Sequence, residues 1–309
     1  MKIAIIGAGG VGGYFGAKMA YAGYDVTFIA RGRNLKAMQE NGLMVKSILG
    51  DFELPRVKAT DNISELVKPD LVIVAVKAWQ VKEIASQLKG VVGENTTVLP
   101  LENGIMASEE ISELLGENNV IAGLCRIISK IETPGVINHF GVKPTIVFGE
   151  LDNSITPRIN QIKEVFDKAG IYSVIAHDIQ AELWKKFISI CTSGLMAITR
   201  SPYGVIREME GTRKLMRDVL TEIYNLAVKA GINLESCIVE KAVGFIDSMP
   251  YESTASLARD VWAGKPSEIE YQNGTVVRLG EKYQVDTPVN SFIYNCILPM
   301  EVAARRKSD

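Results

Sequence analysis

Apolar and polar residues follow one another along this chain in two different rhythms. In the first half, short apolar-rich runs of strand length occupy Lys2–Ile6, residues 25–30, 71–76 and 97–101, unbroken over 71–76, and stretches with helical spacing follow the first, third and fourth of them, near Val11 and over 79–88 and 105–115. Unbroken apolar runs mark strands covered on both faces, the condition of a parallel sheet. Strand and helix in alternation therefore predict a doubly wound α/β sheet. Residues 120–149 change character, with Pro134-Gly135 between two β-rich runs, and are expected to extend that sheet with antiparallel strands. Beyond about residue 178 the strand signals stop. Helical spacing takes over at 180–198, 209–230, 234–247 and 267–283. Two domains are predicted, residues 1–177 and an all-helical part over 178–309, with no internal repeat and no low-complexity linker.

The join between the first strand and the first helix carries the first chemistry. Gly7, Gly9 and Gly12 stand there as G-x-G-x-x-G. The turn through Gly7, Ala8, Gly9, Gly10, Val11 and Gly12 is expected to cradle a pyrophosphate at the helix N-terminus, which makes the first domain Rossmann-type. An NAD site usually places Asp or Glu at the end of the second strand, to accept from the ribose 2′-OH. This chain has Arg31, Gly32 and Arg33 instead, and Asp25 stands at the strand's start. The arginines suit a 2′-phosphate, so NADP(H) is the expected cofactor.

Composition narrows the function classes. The chain has 309 residues, 47% of them hydrophobic, with 34 basic against 36 acidic side chains. That length suits two cores. Balanced charge with only a short Arg305, Arg306, Lys307 run gives no nucleic-acid footprint. Neither an apolar run of membrane length nor a signal-peptide pattern is present, so a soluble, cytoplasmic protein is expected. Cys125, Cys191, Cys237 and Cys296 lie far apart without a C-x-x-C pair and are expected to be reduced core thiols; no metal is expected. The apolar content of the helical domain permits a homodimer, and an internal core accounts for it equally well.

Candidate proton donors are few. His139 and His177 are the only histidines, and neither lies in a motif that orients a general acid. The helix expected from residue 180 carries Trp184, Lys185 and Lys186. Its continuation would place Ile190 and Gly194 on the face of Lys186 at i+4 and i+8. Periodicity leaves two readings of Lys186: a stem lying over apolar surface with its ammonium in water, or a proton donor pointing into the interdomain cleft.

Several segments in order resemble the ketopantoate reductase family. They are the glycine-rich start, Lys77-Ala78-Trp79-Gln80, Glu102-Asn103-Gly104, Leu183-Trp184-Lys185-Lys186, and Pro266-Ser267-Glu268-Ile269-Glu270-Tyr271-Gln272-Asn273-Gly274 followed by Val276-Val277-Arg278-Leu279-Gly280. The resemblance implies NADPH-dependent reduction of a 2-oxo acid, ketopantoate in pantothenate biosynthesis, with Lys186 as proton donor. It also implies that Lys77 lies near cofactor and substrate, that Asn103 contacts nicotinamide ribose and substrate, that Glu268 borders both, and that Ser256 binds substrate. Local reasoning alone makes Glu268 a helix-cap residue after Pro266. One departure stands out. Well-known members carry substrate-contacting asparagines where this chain has Ile190 and Gly194, and Ser189, Thr192, Ser193 or Arg200 would have to compensate. A more apolar 2-oxo acid is the alternative substrate, and a non-catalytic NADP-sensing module the alternative of another class.

Overall fold

The computed structural model describes residues 1–307; Ser308 and Asp309, which end the expected second domain, lie outside the described residues. The first unit comprises Met1–Glu102 and Met106–Ile179, the second Asn103–Ile105 and the chain from Gln180 on. A single cut at residue 177 misses the short excursion of Asn103 to Ile105.

The first unit runs β1 (Lys2–Ile6), α1 (Gly10–Tyr21), β2 (Asp25–Ile29), α2 (Gly32–Asn41), β3 (Leu43–Ser47), β4 (Phe52–Leu54), β5 (Lys58–Thr60), β6 (Leu71–Val74), α3 (Val81–Leu88), β7 (Thr97–Pro100) and α4 (Ala107–Leu115). It continues with β8 (Ala122–Arg126), β9 (Ser129–Thr133), β10 (Val136–His139), β11 (Thr145–Gly149), α5 (Pro157–Lys168) and β12 (Tyr172–Ile175). Five parallel strands in the order β5-β2-β1-β6-β7 form the main sheet. β6 is buried throughout, as its unbroken apolar sequence requires: Leu71, Val72, Ile73 and Val74 all lie in the core.

Antiparallel strands do form in residues 120–149, but in two further sheets. β8 and β11 pair antiparallel, β12 joins β11 in parallel, and one isolated bridge, Val98 to Val120, connects this stretch to β7. The hairpin β9–β10 around Pro134-Gly135 pairs with β3 through β10, and β4 pairs with the other edge of β3. That sheet packs on α1, whose second face needs an apolar cover as much as its first. His139 belongs to this layer. It is buried, with Nδ1 2.8 Å from Ser47 Oγ and Nε2 2.9 Å from the Val142 carbonyl, so both ring nitrogens are engaged in structure.

The second unit is helical: α6 (Ile179–Ile190, of which Ile179 belongs to the first unit), α7 (Thr192–Thr199), α8 (Tyr203–Glu208), α9 (Glu210–Lys229), α10 (Ile238–Ser248), α11 (Ser256–Trp262), α12 (Asn273–Tyr283) and α13 (Pro288–Arg306). Phe187, Ile188, Leu195, Val219, Leu220, Ile223, Ile293 and Ile297 make its core.

Two expected helices break. The run 180–198 is interrupted at Cys191, because its carbonyl accepts from Gly194 N–H three residues on and from Asn273 Nδ2, both at 3.2 Å, while Thr192 Oγ1 donates to the Ser189 carbonyl at 2.7 Å. Side-chain bonds to backbone carbonyls are an established cause of such kinks. The run 267–283 opens with a 3₁₀ turn at Ile269–Tyr271, and α12 starts only after Gln272. The expectation of four core thiols also needs correction. Cys125 and Cys191 are buried, and burial pushes the Cys191 thiol up, whereas Cys237 and Cys296 are exposed. No helix among the described residues is long and apolar enough to cross a membrane.

Candidate active site

In the first unit, β1 delivers the chain into a turn that only particular residues fit. Gly7 has φ +97°, and a Cβ there would lie 2.7 Å from the Ala75 carbonyl oxygen. Its N–H and that of Ala8 both donate to the Ile29 carbonyl at the end of β2, at 3.0 and 3.2 Å. A Cβ on Gly12 would stand 2.1 Å from the Gly7 oxygen, so α1 packs on β1 at glycine distance. Gly10 is tight for another reason: a Cβ there would meet the Ser129 carbonyl of β9 at 2.5 Å.

Gly9 differs. Nothing lies within 4 Å of its missing Cβ, and it occupies the N-cap of α1, whose first turn carries no acidic side chain. An open side beside amide donors at the positive end of a helix fits a pyrophosphate. Val11 follows, half-buried, in the first turn of α1.

The second strand ends at Ile29, two residues before Arg31. Arg31 is the N-cap residue of α2, and both it and Arg33 are exposed. Asp25, at the opposite end of β2, is paired with Lys58 at 2.6 Å. Sequence reasoning missed Asn34. Its Nδ2 donates to the Ala8 carbonyl and its Oδ1 accepts from Gly135 N–H, both at 2.9 Å, so one amide splints the glycine-rich turn to the β9–β10 hairpin. Its position in the first turn of α2, directly after the arginines, was the only signal. After β6, Lys77 is half-buried; its N–H donates to Gln80 Oε1 at 3.2 Å and its ammonium lies 5.7 Å from the Trp79 ring centre. Glu102 is buried and accepts from Val76 N–H at 3.0 Å, tying the end of β6 to the segment after β7.

In the second unit, Asn103 and Glu268 come together: Asn103 Nδ2 donates to Glu268 Oε2 at 3.0 Å. Glu268 is only 5% exposed. It stands at the N-cap of the Ile269–Tyr271 turn, yet makes no side-chain cap there, so its carboxylate serves Asn103 and not its own turn. Gly104 makes that approach feasible; at φ +106°, a Cβ would lie 2.9 Å from the Tyr271 carbonyl. Lys186 is half-buried on α6, beside Trp184, whose ring stacks edge-on against Phe187 at 5.7 Å. The neighbouring Lys185 is paired with Glu182 at 2.9 Å.

Ile190 is half-buried at the end of α6, but the break at Cys191 takes Gly194 off the face of Lys186. Gly194 is buried on α7, where a Cβ would meet Asn273 Oδ1 at 2.5 Å and Ile293 Cγ2 at 2.6 Å. Thr192 and Ser193 are buried too, the latter donating to Gln272 Oε1 at 2.8 Å. Arg200 is exposed with φ +53° at the end of α7, and Ser256 is exposed at the first position of α11. Among the described residues no His, Cys, Asp and Glu side chains cluster as metal ligands.

A parallel sheet with a glycine-rich turn, together with a helical unit carrying a half-buried lysine and a half-buried amide bound to a buried carboxylate, defines an oxidoreductase built on a dinucleotide-binding domain. Residues 3–153 match the family described as Ketopantoate reductase PanE/ApbA, and residues 178–301 match its C-terminal domain. The chain belongs to the ketopantoate reductase family. A 2-dehydropantoate 2-reductase of Aquifex aeolicus is 33% identical over 311 residues, spanning 98% of this chain and 97% of that one. The crystal structure of a PanE/ApbA family ketopantoate reductase from Ralstonia eutropha has a TM-score of 0.91 at 29% identity, over 99% of this chain and all of that one (100%). D-mandelate dehydrogenase, in a ternary structure with NADH and anilino(oxo)acetate, shares the fold with a TM-score of 0.89 at 23% identity over 99% of each chain.

Proposed function

We propose that the protein reduces a 2-oxo acid to its 2-hydroxy acid with NADPH, and that ketopantoate is the substrate, which places the reaction in pantothenate biosynthesis. The observation that carries this reading is the Asn103–Glu268 hydrogen bond in the same unit as the Lys186 helix. The cofactor's pyrophosphate would be held by the turn from Gly7 to Gly12, its 2′-phosphate by Arg31 and Arg33, and its nicotinamide end by Lys77, Asn103 and Glu268. When bound, reduced nicotinamide supplies the hydride.

The chain's own residues supply the rest. Lys186 polarises the carbonyl oxygen, stabilises the negative charge that develops on it and delivers the proton. Glu268 fixes the amide plane of Asn103, so that the amide meets ribose and substrate without having to be ordered at each turnover. Ser256 takes the substrate's carboxylate.

A second reading rests on Ile190. An apolar side chain where family members carry a substrate-binding asparagine favours a 2-oxo acid without ketopantoate's hydroxyl, because a site lacking a hydrogen-bond partner gains little from that group. Steady-state NADPH oxidation with ketopantoate beside a panel of unhydroxylated 2-oxo acids separates the two. The highest kcat/KM for ketopantoate supports the first reading; a better unhydroxylated acid replaces it with the second. No turnover of any 2-oxo acid removes both.

A further inference from the structure

Glu301, on α13, is a buried carboxylate, 3% exposed, that no step above uses. Its Oε2 accepts from both the N–H and the Oγ–H of Ser267, at 2.8 and 2.7 Å, and its Oε1 is paired with Arg305 Nε at 2.7 Å one turn further along the helix. Arg305 Nη2 also reaches the Ser267 carbonyl at 3.4 Å. Ser267 itself has no exposed surface. All three polar groups of this one residue are thus held by two side chains of one helix.

Ser267 immediately precedes Glu268. The backbone leaves it for the turn closed by Tyr271 N–H donating to the Glu268 carbonyl at 3.0 Å, and the Glu268 side chain ends on Asn103. Burying the Glu301 carboxylate costs several kcal/mol of desolvation, its partner Arg305 keeps a third of its side chain (34%) in solvent, and apolar groups of equal volume commonly stabilise a core as well or better. Stability alone is a poor reason for this arrangement. Fixing one peptide unit in one orientation is a good one, because a shift of about 1 Å at a reacting group costs about 100-fold in rate.

We propose that Glu301 is a positioning residue for Glu268: through Ser267 it sets the backbone from which the Glu268 carboxylate reaches Asn103. The proposal rests on the assignment of Glu268 to the reacting site. It predicts that Glu301→Gln, which keeps the volume but sets an amide N–H₂ against either Ser267 or Arg305, lowers kcat by about tenfold while the KM for the oxo acid and the Kd for NADPH change by less than about twofold.

The deciding measurement is a double-mutant cycle in the full-length protein. Because Glu301 acts through Glu268, Glu301→Gln should cost no further kcat in a Glu268→Ala background. An equal loss in both backgrounds overturns the proposal, as does an unchanged kcat in a folded Glu301→Gln protein. Glu268→Ala alone reports on the underlying reading: if it turns over normally, the role given to Glu268 falls, and the positioning role falls with it. Should Glu301→Gln not fold, Ser267→Ala removes only the hydroxyl donor and leaves the backbone bond. A smaller loss of kcat is expected there, again absent in the Glu268→Ala background, and its persistence in that background overturns the proposal.

Discussion

Asn103 and Glu268, 165 residues apart in sequence, are joined by a hydrogen bond of 3.0 Å from an amide to a buried carboxylate. An amide can only donate through its nitrogen, so the bond settles which way round the Asn103 side chain sits. Replacing Asn103 by Asp sets two carboxylates face to face at that distance, and like charges so close cannot both ionise without raising one pKa. Asn103→Asp should therefore lose at least about tenfold in kcat at neutral pH and regain part of it as acid supplies the pair with one proton. A kcat–pH profile parallel to that of the unaltered protein would show that the bond does not matter to turnover.

Much of the fold was legible from pattern alone, and the parts that were not have physical causes. β1, β2, β6 and β7 announce themselves because burial on both faces demands apolar-rich runs, unbroken in β6. β3, β4 and β5 are three to five residues long and partly exposed, so they carry no such signature. The break at Cys191 is written partly in Asn273, 82 residues away, and no local window contains that partner. α13 carries Pro299 inside it, a residue that argues against helix in any sequence reading. At the site, the glycine-rich turn and the motif around Glu268 could be named in advance. The splint made by Asn34 and the clamp made by Glu301 are tertiary facts carried by residues of ordinary type.

The glycine-rich turn separates two roles that sequence motifs merge. Ala at Gly9 points its methyl into open space, so Gly9→Ala should cost at most about 1 kcal/mol of stability, the range of an N-cap change, while weakening NADPH binding where the pyrophosphate belongs. Ala at Gly12 drives a methyl to 2.1 Å from a backbone oxygen and should cost about 1–3 kcal/mol as overpacking. Thermal melts and cofactor titrations of the two variants should therefore rank oppositely. If Gly9→Ala binds NADPH as the unaltered protein does, the open side is not where the cofactor lies.

Under the proposed reading, in which Arg31 and Arg33 hold a 2′-phosphate, cofactor choice turns on Arg31. Removing an exposed guanidinium from a 2′-phosphate site loses a charge-assisted contact worth about 1.5–3 kcal/mol to NADPH and nothing to NADH. Arg31→Ala should raise the Kd for NADPH by about tenfold or more and leave that for NADH nearly unchanged. Equal losses for both cofactors would place Arg31 elsewhere.

Tyr294 gives a stability test free of any functional assumption. Its hydroxyl donates to Glu270 Oε1 at 2.6 Å, and burial first, then that bond, push its pKa up to about 12 from an ordinary 10.0. The folded state holds this proton more tightly than the unfolded chain does. The contribution is therefore complete below pH 10 and is lost as pH rises towards about 12. Urea midpoints measured on both sides of that window should show a steeper alkaline fall for the unaltered protein than for Tyr294→Phe. Identical slopes would mean that Tyr294 titrates as an exposed phenol.

Lys186 is the simplest test of the chemistry. Loss of a positioned general acid costs about 10²–10⁴ in rate. Lys186→Ala should lose kcat on that scale with NADPH affinity largely kept, and single-turnover oxidation of bound NADPH should slow with it. Turnover that survives would assign the proton to another group.

The two departures from the family pattern, alike in sequence, should respond in opposite ways when reverted. Ile190 is half-buried at the end of α6, where an amide can be accommodated, so Ile190→Asn should raise kcat/KM for ketopantoate relative to an unhydroxylated 2-oxo acid by about tenfold, the worth of one hydrogen bond to a substrate hydroxyl. Gly194 has no such room. Its Cβ would lie 2.5 Å from Asn273 Oδ1, and Asn273 Nδ2 donates to Asn290 Oδ1 at 2.9 Å while Asn290 Nδ2 donates to Glu222 Oε2 at 2.7 Å. Gly194→Asn therefore forces apart a buried polar chain, and should lower the melting temperature without improving ketopantoate turnover. A stable Gly194→Asn protein with improved turnover would mean that α7 can repack to bring residue 194 to the substrate. An unchanged substrate ratio for Ile190→Asn would mean that residue 190 does not face the substrate's hydroxyl end.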